Sequence, residues 1–242
     1  MMQDFRAAGG RVAVLVPAAG RGTRLGGMRK QFRLLGNRPL LEQTLWAFEH
    51  HPAVDGLVVA VPAERVVGIA ETLRQSGLKK LWHVVAGGAT RQDSVAAALR
   101  SLPDDVAIVL VHDAVRPFIL PEQITAVLEA VRQVGAAALA IPETDTVRRS
   151  DDGYLAETVP RQQLYRMQTP QGFRRDWLEA AYAEASEPPA TDDVELVRRL
   201  GYPVARVAGS VFNFKITTAE DWELATMLWP QWEARRRSCC TL

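Results

Sequence analysis

Val12-Ala13-Val14-Leu15-Val16 runs straight into Pro17-Ala18-Ala19-Gly20-Arg21-Gly22-Thr23-Arg24-Leu25-Gly26, with Lys30 close behind, and this stretch decides the fold. Five apolar residues in a row predict a strand buried on both faces, as in a parallel sheet covered by helices. The loop after it is made of small residues and glycines. Such a loop lets backbone N–H groups approach an anion where a Cβ would collide. Open α/β sheets bind their ligands at this edge, outside the carboxyl ends of the strands.

Working outward, the same kind of apolar run recurs at residues 57–61, 81–85, 106–111 and 136–141. Helical patterns lie between them, at residues 40–50, 64–76, 92–102 and 122–134. In the last of these Ile124, Val127, Leu128 and Val131 repeat at helical spacing. Strand and helix in alternation predict an α/β, Rossmann-like doubly wound, mostly parallel sheet. The alternation breaks after Pro142. Residues 144–149, a turn at Ser150-Asp151-Asp152-Gly153 and residues 154–159 predict a hairpin, a protruding β-arm within about 143–167. A lone hairpin is marginal in water, so the arm needs a surface to lean on. Helices are expected at 175–186, 193–200 and 219–229, with a strand at 204–207. The expected organisation is a flexible N-terminus (1–10), a single domain (11–232) and a flexible basic tail (233–242).

Bulk composition narrows the function classes. The chain has 242 residues, 48% hydrophobic and 24% charged, which suffices for one large core. With a net charge of +1 there is no general attraction to nucleic acid or to an anionic membrane, so any anion must be held by local charge. No apolar run nears the ~18 residues of a membrane span, and Met1–Gly10 lacks a signal-peptide core. The two cysteines, Cys239 and Cys240, are adjacent and cannot staple a fold, which suits a reducing cytoplasm.

The loop admits several readings. A dinucleotide fingerprint needs a third glycine where Leu25 stands, and the second strand ends too far downstream to offer its acidic residue at the usual spacing of about 20. A Walker A loop needs Gly-Lys-Ser/Thr, which is absent. A nucleotidyltransferase loop fits, with Arg24 and Lys30 neutralising a triphosphate; a plain glycine-rich turn with solvated charges is the bland alternative.

Six further motifs follow in order: Gly87-Gly88-Ala89-Thr90-Arg91-Gln92-Asp93-Ser94-Val95, Val111-His112-Asp113-Ala114-Val115-Arg116-Pro117, Asp145-Thr146-Val147, Gln168-Thr169-Pro170-Gln171, Thr191-Asp192-Asp193 and Asn213-Phe214-Lys215-Ile216-Thr217. With the loop, they make the chain resemble the 2-C-methyl-D-erythritol 4-phosphate cytidylyltransferases of the non-mevalonate isoprenoid pathway, over roughly residues 11–229. The resemblance implies transfer of CMP from CTP to a polyol phosphate with Mg²⁺ as cofactor, carried mainly by the CTP phosphates rather than by dedicated protein ligands. It places the catalytic cations at Arg24, Lys30 and Lys215. It places the nucleotide at Pro17, Ala18, Ala19, Gly20, Gly22, Gly87, Gly88, Ser94, Asp113 and Ala114. The acceptor falls to Asp113, Arg116, Thr146, Arg161, Thr169, Thr191 and Lys215, with Thr146 and Arg161 reaching over from the arm of a second subunit in a crossed-arm homodimer. Neither nucleic acid nor membrane is an expected partner. The chain departs from the family pattern at Arg29, usually proline, at Ala89, often acidic, at Pro160, commonly aspartate, and in a short Arg24–Lys30 interval. Ribitol-5-phosphate cytidylyltransferases share most of these motifs; a nicotinamide dehydrogenase or a non-catalytic nucleotide-binding module is a more distant alternative.

Local chemistry offers plainer roles for several of these residues. His112 reads as a packed, backbone-bonded histidine. Asp113 can serve as a strand-end residue satisfying backbone. Asp192 with Glu195, and Thr217 with Glu220, have the spacing of helix caps. Ser94 can be a polar residue early in its helix, Thr146 ordinary strand composition, and the six tryptophans core or interface anchors.

Overall fold

A computed structural model describes residues 10–20, 29–185 and 190–239. Its elements in chain order are β1 (Arg11–Pro17), a 3₁₀ turn (Lys30–Phe32), β2 (Leu34–Leu35), β3 (Arg38–Pro39), α1 (Leu40–Glu49), β4 (Gly56–Val61), a second 3₁₀ turn (Ala63–Arg65) and α2 (Val66–Gln75). Then come β5 (Leu81–Ala86), α3 (Arg91–Leu99), β6 (Val106–Val111), α4 (Pro121–Val134), β7 (Ala136–Pro142), β8 (Val147–Asp151) and β9 (Tyr154–Val159). The chain continues through β10 (Tyr165–Arg174), α5 (Arg175–Ala183), α6 (Asp193–Arg199), β11 (Ala205–Ala208) and α7 (Ala219–Cys239).

Seven strands form one sheet in the order β11-β7-β10-β6-β1-β4-β5. All pairings are parallel except those of β10, which runs antiparallel to both β6 and β7. Side chains alternate along β1: Val12, Val14 and Val16 enter the core under α1 and α4, while Ala13 and Leu15 enter the core under α3, α5 and α6. The sheet is thus covered on both faces, as its unbroken apolar runs require.

Three features differ from the sequence reading. β10 had no apolar signature, because Gln168, Thr169, Pro170 and Gln171 occupy its middle; these four are buried, with Thr169 bonding Asp113, Gln171 the start of α6 and Gln168 the Ser210 carbonyl. A proline in a central strand normally argues against the strand, and here β10 shifts register between Met167 and Gln171. The last helix does not stop at residue 229. It continues through Pro230 to Cys239, so much of the expected tail is helical. Trp222, Trp229 and Trp232 on it pack with Phe118, Leu35 and Ile216 into a third core, and burying such rings gives this helix reason to persist past its proline. The third difference is at the start of α7, where Thr218 and Asp221 exchange the capping bonds, one residue later than the Thr217–Glu220 spacing suggested.

The hairpin forms as expected, between β8 and β9. Asp152 (φ 45°) and Gly153 (φ 82°) both take left-handed backbone at its tip, as a tight two-residue turn demands. Tyr154 and Leu155 next to the turn are about 80% exposed, an apolar pair that no described residue of the chain covers.

Candidate active site

The first strand delivers its loop to a cleft of about 430 Å³ at the carboxyl edge of the sheet. Pro17, Ala18, Ala19, Gly20, Lys30 and Gln31 line one side; Gly88, Ala89, Thr90, Arg91 and Ser94 line another; Asp113, Ala114, Val115, Lys215 and Thr217 complete it. Arg24 and Gly22 lie outside the described residues. Gln31, which sequence reasoning passed over, is buried and its amide donates to the carbonyls of Ala18 (2.8 Å) and Gly20 (3.0 Å). That clamp fixes the exit of β1 and sets Lys30 beside it. Arg29, where the family usually has proline, pairs with Glu64 at 3.1 Å.

Gly87 and Gly88 are required by close approach. A Cβ on Gly87 would lie 2.5 Å from the Ala19 methyl and 2.7 Å from the Ser94 hydroxyl. Ser94 donates to the Thr90 carbonyl and accepts from Gly88 N–H (3.2 Å), so it shapes this wall and keeps one lone pair. Thr90 caps α3 through a reciprocal box with Asp93.

Asp113 stands at the floor, 7% exposed, just past the end of β6. Its Oδ1 accepts from Arg91 Nε (3.3 Å), and its Oδ2 from Arg116 Nε (3.2 Å) and Lys215 Nζ (3.0 Å). Burial opposes its charge, yet Lys215, Arg91 and Arg116 outweigh burial and hold its pKa well below the usual carboxylate range. Arg116 also donates to the Asn213 carbonyl (2.7 Å), and Ile216 N–H to the Val115 carbonyl, which anchors the segment carrying Lys215.

Thr169 lies beneath this floor rather than in the cleft wall: its hydroxyl accepts Asp113 N–H (3.0 Å) and contacts His112 Nδ1 (3.1 Å). His112 Nε2 faces the Arg116 carbonyl, which can only accept, so Nε2 carries the proton and Thr169 donates to Nδ1. A neutral, fully bonded imidazole results. Burial first of all, with weaker opposing contacts, lowers its pKa to about 4.

That shift predicts an acid-dependent loss of stability. Between the ordinary value of 6.5 and about 4 the unfolded chain takes up a proton that folded His112 refuses. Stability is therefore complete above pH 6.5, falls as the pH drops through this window, and loses on the order of 3 kcal/mol by its lower end. His51, also lowered by burial, adds in the same direction. Denaturant unfolding from pH 8 to 4 should show the slope and His112→Gln should flatten it; an unchanged slope would count against this reading.

The remaining expected acceptor residues do not gather in their own chain's cleft. Thr191 is exposed and its hydroxyl donates to Glu195, while Asp192 caps α6 by accepting Glu195 N–H. Thr146 is exposed at the arm, and Arg161 donates to the Thr144 carbonyl at the arm's base. Sequence reasoning missed Arg91, which joins Asp113 to Asp193, although it sits inside a motif that was singled out. No helix among the described residues is long and apolar enough to cross a membrane.

The family model described as IspD, 2-C-methyl-D-erythritol 4-phosphate cytidylyltransferase, matches residues 12–230. The chain belongs to this family. It is a nucleotidyltransferase by that membership, and two kinds of relative agree. A 2-C-methyl-D-erythritol 4-phosphate cytidylyltransferase of Salinibacter ruber is 57% identical, over 91% of this chain and 94% of its own. The crystal structure of the enzyme of that name from Thermus thermophilus superposes with a TM-score of 0.78 at 38% identity, covering 91% of this chain and 99% of that one. A 4-diphosphocytidyl-2C-methyl-D-erythritol synthase from Anaerococcus prevotii superposes with a TM-score of 0.80 at 30% identity, over 92% and 99%.

Proposed function

We propose that this cytidylyltransferase moves CMP from CTP onto the phosphate of 2-C-methyl-D-erythritol 4-phosphate, releasing pyrophosphate and 4-diphosphocytidyl-2-C-methyl-D-erythritol in non-mevalonate isoprenoid precursor synthesis. The observation that carries the site reading is the cleft's charge: Lys30 and Lys215 line it, with the Arg91 guanidinium committed to Asp113 and Asp193, and Asp113 is the one carboxylate among the described lining residues. An anionic acceptor must attack a polyanion here, and repulsion is the main obstacle to in-line approach. A phosphate oxygen of the acceptor forms the new bond to the α-phosphorus as the bond to the bridging oxygen breaks. The electron pair leaves with pyrophosphate. The acceptor phosphate is already ionised at pH 7, its second pKa being about 6, so no general base is needed. Lys30 and Lys215 neutralise charge as point cations, and Arg24 would do so through planar, bidentate phosphate contacts. Backbone groups from Pro17 to Gly20, with Gly88 and Ser94, form the nucleobase wall, and Gly87 packs behind it against Ala19 and Ser94; Asp113 and Ala114 border the wall, and Arg116 and Thr169 hold Asp113 from behind.

Mg²⁺ belongs to this reading. Among the described residues no group of three metal-ligating side chains gathers. Mg²⁺ commonly takes few protein carboxylates and is held largely by substrate phosphates, and Asp113 is already paired with three cations. The residues therefore fit an ion carried mainly by the nucleotide, which would neutralise triphosphate charge when bound.

The arm completes the proposal. Its exposed Tyr154 and Leu155 support a second subunit as cover, in a homodimer with crossed arms. Thr146 and Arg161 would then serve the partner's acceptor, while Thr191, just before α6, would serve its own chain's. We place the reaction in the cytoplasm, which suits the absence of cysteine from residues 1–238.

Pyrophosphate release tests the whole. CTP should be clearly preferred to UTP and ATP, with methylerythritol phosphate preferred to ribitol 5-phosphate. EDTA should abolish turnover and Mg²⁺ restore it. Equal use of UTP, or metal-independent turnover, would refute the assignment.

A further inference from the structure

Behind Asp113 lies a second carboxylate that the reaction above does not use. Asp193, the first residue of α6, is fully buried. Its Oδ1 accepts from the Tyr182 hydroxyl on α5 (2.5 Å), and its Oδ2 from Arg91 Nη1 (2.7 Å). Its backbone N–H, with that of Val194, donates to Gln171 Oε1 (3.2 Å), and Gln171 Nε2 donates to Asp192 Oδ2 (2.8 Å). Gln171 lies two residues beyond Thr169 on β10, and Thr169 receives Asp113 N–H. The contacts close a ring: β10 to α6, α6 to Arg91, Arg91 to Asp113, and Asp113 back to β10.

Arg91 is the member that faces both ways. It opens α3 on the cleft wall and reaches Asp113 with Nε while holding Asp193 with Nη1. Burial opposes its charge, but Asp193 and Asp113 more than offset that and keep it protonated throughout the working range. The planar guanidinium can bridge two carboxylates at fixed angles; a lysine ammonium cannot hold both with the same geometry. Asp113 needs such a brace, because the terminal torsion of an aspartate is soft. With Oδ1 pinned by Arg91, Oδ2 is turned toward Arg116 and Lys215. Without the brace the carboxylate is held only through Oδ2 and can pivot about its contacts with Arg116 and Lys215, and Lys215 sits on a long flexible stem.

We infer that Arg91, anchored by Asp193 and Tyr182, is a positioning residue that fixes the Asp113 carboxylate and through it the Lys215 ammonium. Resting on the cytidylyl-transfer reading, the relay acts on kcat through Lys215 and leaves nucleotide affinity alone. A misplacement of about 1 Å in such a group can cost on the order of 10²-fold in rate.

Arg91→Gln alone would strand the buried Asp193 charge, which by itself destabilises a fold. The informative protein is the paired variant Arg91→Gln with Asp193→Asn, which leaves no orphan charge. It should melt near wild type and keep KM for CTP within about twofold, while kcat falls at least ~10-fold. In a Lys215→Ala background the same pair should lower kcat by no more than about twofold, since it acts through a group already gone. Tyr182→Phe removes only one hydroxyl contact and keeps the test open if the pair folds poorly. Its kcat should drop roughly 3- to 10-fold at unchanged KM, and this loss too should vanish without Lys215. A folded paired variant with wild-type kcat would overturn the inference, as would losses that multiply fully with Lys215→Ala, or a Tyr182→Phe enzyme indistinguishable from wild type. A wild-type enzyme without cytidylyl transfer would instead overturn the underlying reading, and the two failures cannot be confused.

Discussion

Alanine at Lys30 is expected to lower kcat on the order of 10²–10³-fold, the usual effect of deleting one preorganised electrostatic group at a reacting centre. The fold should survive. Lys30 is half-exposed at the start of a single 3₁₀ turn, and the anchoring there is done by its neighbours: Gln31 clamps Ala18 and Gly20, and Arg33 N–H reaches the Lys30 carbonyl, which alanine retains. The side chain contributes charge to the cleft wall rather than core volume. Lys30→Arg should recover part of the rate, because it restores charge with a different shape. Steady-state kinetics with CTP beside a thermal melt decides the matter; a melted-out variant, or kcat within twofold of wild type, would refute the role. Lys215→Ala should be comparably slow. It also removes one of the three cations on Asp113, while Arg91 and Arg116 keep that carboxylate paired.

The second large effect concerns shared sites. Arg161→Ala should be nearly inactive although Arg161 does not line its own chain's cleft. A guanidinium delivered across an interface gives a phosphate a bidentate clamp and a fixed orientation. Mixing Arg161→Ala with Lys30→Ala protein provides the test. In a mixed crossed-arm dimer one site carries both lesions and the other neither. Random 1:1 exchange makes about half of the dimers mixed, so roughly a quarter of wild-type activity should return. Proven exchange without recovery would put Arg161 to work in its own subunit and end the crossed-arm reading.

The parallel half of the sheet was legible because burial on both faces writes unbroken apolar runs, and β6 begins and ends at Val106 and Val111 as read. The hairpin was legible from its turn residues. β10 was not, since the residues that make it central are polar: Thr169 braces Asp113, Gln171 holds the start of α6, and Gln168 bonds Ser210. A strand recruited for its hydrogen bonds loses the pattern by which strands are recognised. The reach of α7 was hidden by Pro230 and by the basic residues beyond Trp232, which mask a ring packed into the third core. In the site, the glycine loop and Lys215 were readable as local chemistry or by resemblance. Arg91 was readable only as a member of a motif, because its two partners lie 22 and 102 residues away. The plain reading of His112 as a packed histidine matches its geometry, and Asp192 does cap its helix.

β10 leaves the hairpin at Tyr165 and passes under Asp113 at Thr169, within one ten-residue strand. Because β10 pairs with β7 on both sides of that stretch, through Tyr165–Met167 and again from Gln171, adding or deleting one residue between those points would break one of the two registers. The length of that segment is therefore as constrained as any residue in the cleft. The tip at Asp152 and Gly153 carries no such constraint, its neighbours being exposed and its turn closed locally. Tyr154 and Leu155 beside that turn are the proposed subunit contact, so a tag or short insertion there should loosen the dimer without moving the floor of its own chain's cleft.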